Sequence, residues 1–164
     1  MSQKTTIVAS SDIALVKYWG KKDPVLRLPE NGSVSIVLSG LDTTTTVEFQ
    51  EHLTEDGITI QGESDEGEIG RVKKHLQRIR KIANISTYAK VVSLNNFPKA
   101  TGLSSSGSGF AALTIAATKA AGLLLSEKEL SILARQGSGT ACRCVCGGFV
   151  EWQDGTTSES SYAL

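Results

Sequence analysis

The sequence has no excess of charge of either sign and no long apolar run. Seventeen Lys and Arg residues balance seventeen Asp and Glu residues, so nothing in the charge favours nucleic acid or an anionic membrane as a partner. No segment approaches the roughly 20 apolar residues that a membrane-spanning helix needs. The first residues, MSQKTTIVASSDIALVKYWG, lack the apolar core and cleavage site of a signal peptide. These absences favour a small-molecule partner.

Cysteines are also few, and all of them lie close together, at Cys142, Cys144 and Cys146. An odd number does not make a disulfide framework, and a spacing of every second residue differs from the C-x-x-C of structural zinc sites. We therefore assign no metal ligand to the protein and expect a reducing, cytoplasmic setting.

Length and hydrophobic periodicity predict one α+β domain spanning residues 1–164, which are 40% hydrophobic. Short β-branched runs predict strands at 5–9, 33–38, 43–49, 58–61, 89–94 and 148–152. An amphipathic pattern predicts a first helix whose apolar positions are Val72, Leu76, Ile79 and Ile82. Two more helices are predicted at about 106–121 and 126–136, the latter with a capping box between Ser126 and Glu129. We expect an antiparallel sheet with the helices on one face.

A Gly/Ser-rich loop, PKATGLSSSGSGFAAL, stands immediately before the second predicted helix. The first N–H groups of a helix have no intrahelical partner, so a helix N-terminus attracts anions. Gly102, Gly107 and Gly109 would allow left-handed backbone and close approach of a phosphate. The P-loop pattern is excluded because the nearby Lys99 precedes these glycines. A phosphate cradle and a plain N-capped buried helix both remain open.

Two further segments carry groups that bind anions. In ARQGSGTACR, the chain turns through residues 137–139 and reaches Arg143, whose planar fork of donors suits a carboxylate or a phosphate. In ALVKYWGKKD, Lys17, Lys21 and Lys22 surround two aromatic residues. Each segment is also consistent with solvated surface. Three of them in a chain without net charge favour a polyanionic ligand.

These segments, in this order, resemble the mevalonate diphosphate decarboxylase family of the galactokinase, homoserine kinase and mevalonate kinase (GHMP kinase) superfamily. The likeness rests on ALVKYWGKKD, LPENGSVSIVL, NNFPKATGLSSSGSGFAAL and ARQGSGTACRCVCGGFVEW, which together span most of the chain. It implies the N-terminal domain of that superfamily, with a ribosomal protein S5 domain 2-like fold. The KYWGK and GSG-x-ACR motifs favour the decarboxylase over its sister kinases.

The resemblance implies that MgATP phosphorylates the 3-hydroxyl of mevalonate 5-diphosphate, and that phosphate and CO2 are then lost to give isopentenyl diphosphate. The cofactors would be ATP and Mg²⁺. The ATP-binding residues carried over are Gly102, Leu103, Ser104, Ser105, Ser106, Gly107 and Ser108. The residues carried over for the substrate are Tyr18, Lys21, Ser138, Gly139, Thr140 and Arg143. Arg143, which would orient the C1 carboxylate, and Lys17 are the two assigned catalytic residues.

The sequence departs from the family pattern in three places. Thr140 stands where serine is usual, and GLSSSGSG replaces GLASSA. No acidic residue matches the family's catalytic aspartate, which belongs to the C-terminal domain; we expect Asp12, Asp23 and Glu30 to lie in loops as caps or surface charges. The chain is therefore expected to be an N-terminal half with little turnover alone.

A missing C-terminal half, or a complementary chain, is the expected partner, with a homodimer expected for the full enzyme. The surface that this half would cover is expected to be an exposed apolar patch. Two alternatives within the superfamily are a phosphomevalonate decarboxylase and a mevalonate 3-kinase. An alternative of another class is a non-catalytic binding domain, for which nucleic-acid binding is disfavoured by the zero net charge.

Overall fold

A computed structural model describes residues 3–61, 66–98 and 103–164 of the chain. Its main sheet has five strands, in the order β1–β4–β6–β5, with β7 also paired to β4. The strands are β1 (Thr5–Val16), β2 (Lys21–Asp23), β3 (Leu28–Pro29), β4 (Ser33–Gln50), β5 (Gly57–Ile60), β6 (Tyr88–Asn95) and β7 (Phe149–Trp152). The helices are α1 (Glu66–Ala83), α2 (Ser105–Ala120) and α3 (Glu127–Gly137), and a 3₁₀ helix covers Gly139–Val145. The predicted α+β class is confirmed.

The long strand β4 replaces two shorter predicted strands. Gly40, with a φ of +88°, lies in the middle of it, in a backbone conformation that only glycine adopts readily. At this point the pairing with β1 jumps from Ser10 opposite Asp42 to Ser11 opposite Leu38. One half of β4 therefore pairs with β6 and the other half with β7.

The sheet is mixed, so the expectation of a purely antiparallel sheet was wrong in one pairing. β5 runs parallel to β6, whereas β1, β6 and β7 all run antiparallel to β4. The connection from β5 to β6 contains α1, and a helical crossover is what joins parallel neighbours. A two-residue hairpin would have given the antiparallel pairing that the sequence reading assumed.

The core lies between one face of the sheet and the three helices. Val47 and Val91 from the sheet pack with Leu76 of α1 and Leu133 of α3. Eleven of the sixteen residues of α2 are buried, because its alanines let the helix approach its neighbours on several sides. On the opposite face of the sheet Val8 is 59% exposed, so the helices cover one side, as expected.

Helix α1 follows its predicted pattern except at its end. Val72, Leu76 and Ile79 are buried, but Ile82 is 52% exposed. The sequence reading also missed His75, which is fully buried and shares a hydrogen bond of 2.8 Å between its Nε2 and Thr114 Oγ1 of α2.

Arg135 of α3 connects three distant parts of the chain. Its Nε donates to the carbonyl of Leu26, in the turn between β2 and β3, at 2.9 Å. Its Nη1 and Nη2 donate to the carbonyl and the hydroxyl of Ser158. The capping box at the start of α3 is confirmed: Glu129 N donates to Ser126 Oγ at 3.3 Å, and Ser126 N to Glu129 Oε2 at 2.8 Å.

An apolar row crosses one end of the sheet. Ile36 of β4 pairs with Ile13 of β1 on one side and with Phe149 of β7 on the other. Ile13 is 47% and Phe149 74% exposed. The row is apolar and exposed; that a second half of the protein covers it stays a prediction.

Candidate functional site

The N-terminus of α2 presents unpaired backbone donors. The carbonyl of Ser104 accepts from Gly107 N at 2.7 Å and from Ser108 N at 3.3 Å. The side chain of Ser104 forms no capping bond to the helix, and among the described residues the N–H groups of Ser105 and Ser106 have no acceptor. This terminus therefore keeps two donors and the positive end of the helix dipole for an anion.

Among the described residues of this loop, the left-handed one is a serine. Ser104 has a φ of +52°, whereas Gly107 and Gly109 both lie inside α2, so the left-handed role predicted for those two glycines was wrong. Gly107 is required for packing instead: a Cβ there would stand 2.9 Å from Thr140 Oγ1 and 3.0 Å from Cys144 Sγ. Gly102 lies outside the described residues.

Hydroxyl groups connect the start of α2 to the segment after α3. Ser106 Oγ lies 3.2 Å from Ser138 Oγ, which lies 3.5 Å from Thr140 Oγ1. Ser108 points away from this group: it is fully buried, and its Oγ lies 2.6 Å from Thr43 Oγ1. Leu103 is half-buried, and its carbonyl accepts a hydrogen bond from Ser11 Oγ.

Arg143 is buried and paired, not displayed on a loop. It is 2% exposed; its Nε donates to Asp12 Oδ2 at 2.6 Å and its Nη1 to Ser33 Oγ at 2.8 Å. Asp12 is also 2% exposed and lies in β1, so the expectation of a loop or surface charge was wrong for it. The sequence reading missed Asp12 and Ser33 because their partner is more than 100 residues away in the chain.

The other two acidic residues, Asp23 and Glu30, agree better with the expectation of caps or surface charges. Asp23, at the end of β2, accepts hydrogen bonds from Val25 N and Leu26 N, both at 2.8 Å, which is the capping role expected of it. Glu30 is exposed and lies against Gly20. Both lie outside the lining of the cavity described next.

An open cavity of about 270 Å³ is lined by three of the six predicted substrate residues, Tyr18, Thr140 and Arg143. Its lining consists of Asp12, Ile13, Ala14, Lys17, Tyr18, Ser104, Thr140 and Arg143. Gly139 lies directly under the Tyr18 side chain, since a Cβ on Gly139 would stand 3.1 Å from Tyr18 Oη. Lys21 does not line the cavity; it is exposed on the β2–β3 hairpin, opposite Pro29.

A second depression lies on the other side of the α2 N-terminus. Ser105 and Ser106 line it together with apolar residues of three other elements, among them Ile60, Val72 and Val91. The N-terminus of α2, from Ser104 to Ser106, therefore lies between this largely apolar groove and the polar cavity that Ser104 lines.

The three cysteines are free thiols behind this site. Burial raises the pKa of the Cys142 and Cys144 thiols, and that of Cys146 to about 12, so all three stay protonated near neutral pH. Over residues 3–61, 66–98 and 103–164, no three His, Cys, Asp or Glu side chains gather as they would around a metal ion. Within the same ranges no helix has the length and apolarity to span a membrane.

Comparisons with known proteins agree on one family. A family model described as the diphosphomevalonate decarboxylase-like N-terminal domain matches residues 9–163. A diphosphomevalonate decarboxylase from Ganoderma lucidum is 40% identical over 98% of this chain and 44% of its own length. The crystal structure of mevalonate diphosphate decarboxylase from Staphylococcus aureus has a TM-score of 0.93 and 43% identity, over 98% of this chain and 49% of that one.

A further solved structure similar to this chain holds ligands. It is described as MDDEF in complex with MVAPP, AMPPCP and magnesium, with a TM-score of 0.91 and 44% identity, over 98% of this chain and 50% of that one. This chain thus spans about half the length of the proteins that it matches.

Proposed function

Because the chain belongs to the diphosphomevalonate decarboxylase family, we propose that it forms the ATP- and substrate-binding half of an enzyme that decarboxylates mevalonate 5-diphosphate. The products are isopentenyl diphosphate, ADP, phosphate and CO2. The observation that carries the proposal is the cavity beside the α2 N-terminus. It joins a lysine, a tyrosine, two hydroxyl residues and a buried arginine from three separate segments: the loop after β1, the residue before α2 and the 3₁₀ helix.

The α2 N-terminus fits the phosphates of ATP. The N–H groups of Ser105 and Ser106, which donate to none of the described residues, stand beside the hydroxyls of Ser106 and Ser138, and such a donor set binds phosphate. The groove lined by Val72 would offer the nucleotide an apolar wall. Mg²⁺ would be held chiefly by the nucleotide phosphates, because most of its coordination positions are filled by phosphate and water oxygens. When bound, ATP supplies the phosphoryl group for the substrate 3-hydroxyl.

The polar cavity fits the substrate. Lys17 and Tyr18 provide a charge and a hydroxyl for the diphosphate, and Ser138 to Thr140 lie behind them at the N-terminus of the 3₁₀ helix. Lys21 would join them from the hairpin. Arg143 would hold the C1 carboxylate at a fixed angle to C3, so that the C1–C2 bond breaks as the phosphorylated 3-oxygen departs.

Proton removal from the 3-hydroxyl needs a base that the cavity does not supply. Asp12 is the one carboxylate of its described lining, and it is engaged by Arg143. We therefore propose that turnover requires an aspartate from a second half of the protein. That half would correspond to the part of the relatives that this chain does not match. We also propose a reducing, cytoplasmic setting, supported by the three free thiols, and a homodimer for the full enzyme.

One observation favours a second candidate, a phosphomevalonate decarboxylase. Lys21 lies outside the cavity lining and Arg143 is already paired, which leaves Lys17 as the unpaired cation of the described lining. A monophosphate needs fewer cations than a diphosphate. Rates with mevalonate 5-phosphate and mevalonate 5-diphosphate distinguish the two candidates.

The test is reconstitution. We would join the chain to the second half of the Staphylococcus aureus relative and follow ADP and isopentenyl diphosphate. The joined protein should release both from mevalonate 5-diphosphate, while the chain alone and the Arg143→Ala form should release neither. Arg78→Ala, at an arginine on α1 away from the cavity, is the matched control and should stay active. Failure of a folded, joined protein to make isopentenyl diphosphate contradicts the proposal.

A further inference from the structure

Asp12 occupies one side of the Arg143 guanidinium. Asp12 Oδ2 accepts from the Nε of Arg143 at 2.6 Å, and Asp12 Oδ1 lies 3.5 Å from Cys144 Sγ. Ser33 takes a second guanidinium nitrogen, Nη1, at 2.8 Å. The fork of donors that makes arginine a bidentate carboxylate ligand is thus partly filled by the protein itself.

The pair also changes the charge of the cavity wall. Asp12 and Arg143 both line the cavity and are both 2% exposed, so water screens their charges little. Their opposite charges cancel. An incoming carboxylate therefore meets a compensated guanidinium and a second carboxylate of its own sign.

Weak carboxylate binding suits a decarboxylation. The substrate carboxylate is charged before the reaction and leaves as neutral CO2. A strong contact to its charge stabilises the substrate more than the transition state and so slows the chemical step. The phosphate groups keep their charge through the reaction and can be held tightly without this cost.

We propose that Asp12 is a specificity-determining residue that weakens carboxylate binding at Arg143, so that the substrate is held mainly by its phosphate groups. This inference rests on the proposed function, since it takes the ligand to be a carboxylate with a phosphate or diphosphate at its other end. It assigns Asp12 a role beyond fixing the orientation of Arg143, because an uncharged acceptor would fix that orientation equally well.

The substitution that separates charge from shape is Asp12→Asn. Asparagine keeps an oxygen to accept the Arg143 Nε bond and removes the negative charge. Binding is measured by calorimetry on the whole chain with two ligands: mevalonate 5-diphosphate and its C1 amide, which has nearly the same shape and no charge at C1. Asp12→Asn should bind the carboxylate ligand at least about tenfold more tightly than wild type and the amide about equally. A Lys17→Met variant should lose affinity for both ligands alike.

Two outcomes separate this inference from the proposed function. If the wild type binds neither ligand, the proposed function fails and this inference fails with it. If the wild type binds both but Asp12→Asn gains nothing for the carboxylate ligand, the inference alone is wrong. Asp12→Ala, which also removes the charge, replaces Asp12→Asn if the latter does not fold. In the joined enzyme the same substitution should lower KM and kcat together; a lowered kcat with unchanged KM marks a merely structural role.

Discussion

Gly107 of α2 and Thr140 of the 3₁₀ helix are in such close contact that a Cβ on the glycine would stand 2.9 Å from the threonine Oγ1. The helix that offers its N–H groups and the segment that leads to Arg143 are therefore held at a fixed separation by the absence of one methyl group. The contacts of Ser138 Oγ with Ser106 Oγ and Thr140 Oγ1 lie at this junction.

Gly107→Ala should destabilise the protein, although alanine favours helix. Overpacking costs about 1–3 kcal/mol, of which the better helix propensity returns about 1 kcal/mol. Gly109→Ala is the matched control, since a Cβ there meets nothing within 4 Å, and it should stabilise by about 0.5–1 kcal/mol. Urea unfolding of both variants gives the difference. Equal effects of the two substitutions would contradict the packing role of Gly107.

Ser106 and Ser108 should respond differently to alanine. Ser106→Ala removes a hydroxyl at the free end of α2 and should weaken binding of AMPPCP by roughly three- to tenfold, the equivalent of one hydrogen bond. Ser108→Ala should leave AMPPCP binding unchanged and reduce the free energy of unfolding by about 1 kcal/mol, because it removes the buried bond to Thr43. Nucleotide titrations and unfolding curves on both variants test this. Loss of AMPPCP binding in Ser108→Ala alone would reverse the two roles.

His75 should make the protein less stable in acid. Burial, with smaller effects from Arg78 and Arg27, lowers its pKa from 6.5 to about 3. Between these two pKa values the unfolded chain binds a proton that the folded chain does not. The free energy of unfolding therefore falls by about 1.4 kcal/mol per pH unit as the pH drops below 6.5. His75→Leu removes this slope. Unfolding free energies at pH 7, 6 and 5 should therefore diverge between wild type and variant; parallel curves would show that the pKa of His75 is the same in the folded and the unfolded chain.

Breaking the Asp12–Arg143 pair should cost more than breaking a surface pair. Arg143→Met leaves Asp12 charged and buried, which costs about 3–5 kcal/mol. The double substitution Asp12→Ala with Arg143→Met should cost less than the sum of the single ones. Lys22→Met is the control: its 3.5 Å pair with Asp154 is partly exposed, so the change should stay below about 1 kcal/mol. An additive double variant would show that the two buried charges do not interact.

The helices and most strands could be predicted because their signals are local. The capping box at Ser126, the alanine-rich α2 and the β-branched runs all act within a few residues. The KYWGK and GSG-x-ACR segments lie far apart in the chain. They were nevertheless predicted to share a site, because both resemble family motifs and both carry anion-binding groups.

What could not be predicted depends on residues distant in sequence. Asp12 was assigned to a loop because nothing near it in the chain shows that Arg143 would pair with it. The left-handed conformation was given to glycines because glycine adopts it most easily, yet Ser104 adopts it where its carbonyl accepts two bonds from α2. The parallel pairing of β5 with β6 was missed although the helix between them was predicted, because residue types alone do not show which strands become neighbours.

The hydrogen bond from Arg135 to Leu26 can form only late in the synthesis of the chain. It joins the turn at Leu26 to α3 across 109 residues of sequence. At about 5–20 residues per second, a ribosome needs roughly 5–20 s between making the turn and making the arginine that secures it. During that interval the β2–β3 hairpin, with Lys21 and Lys22, has only its neighbours in the nascent chain for support. A translational pause before α3 would lengthen the exposure of this hairpin, whereas one after α3 would not.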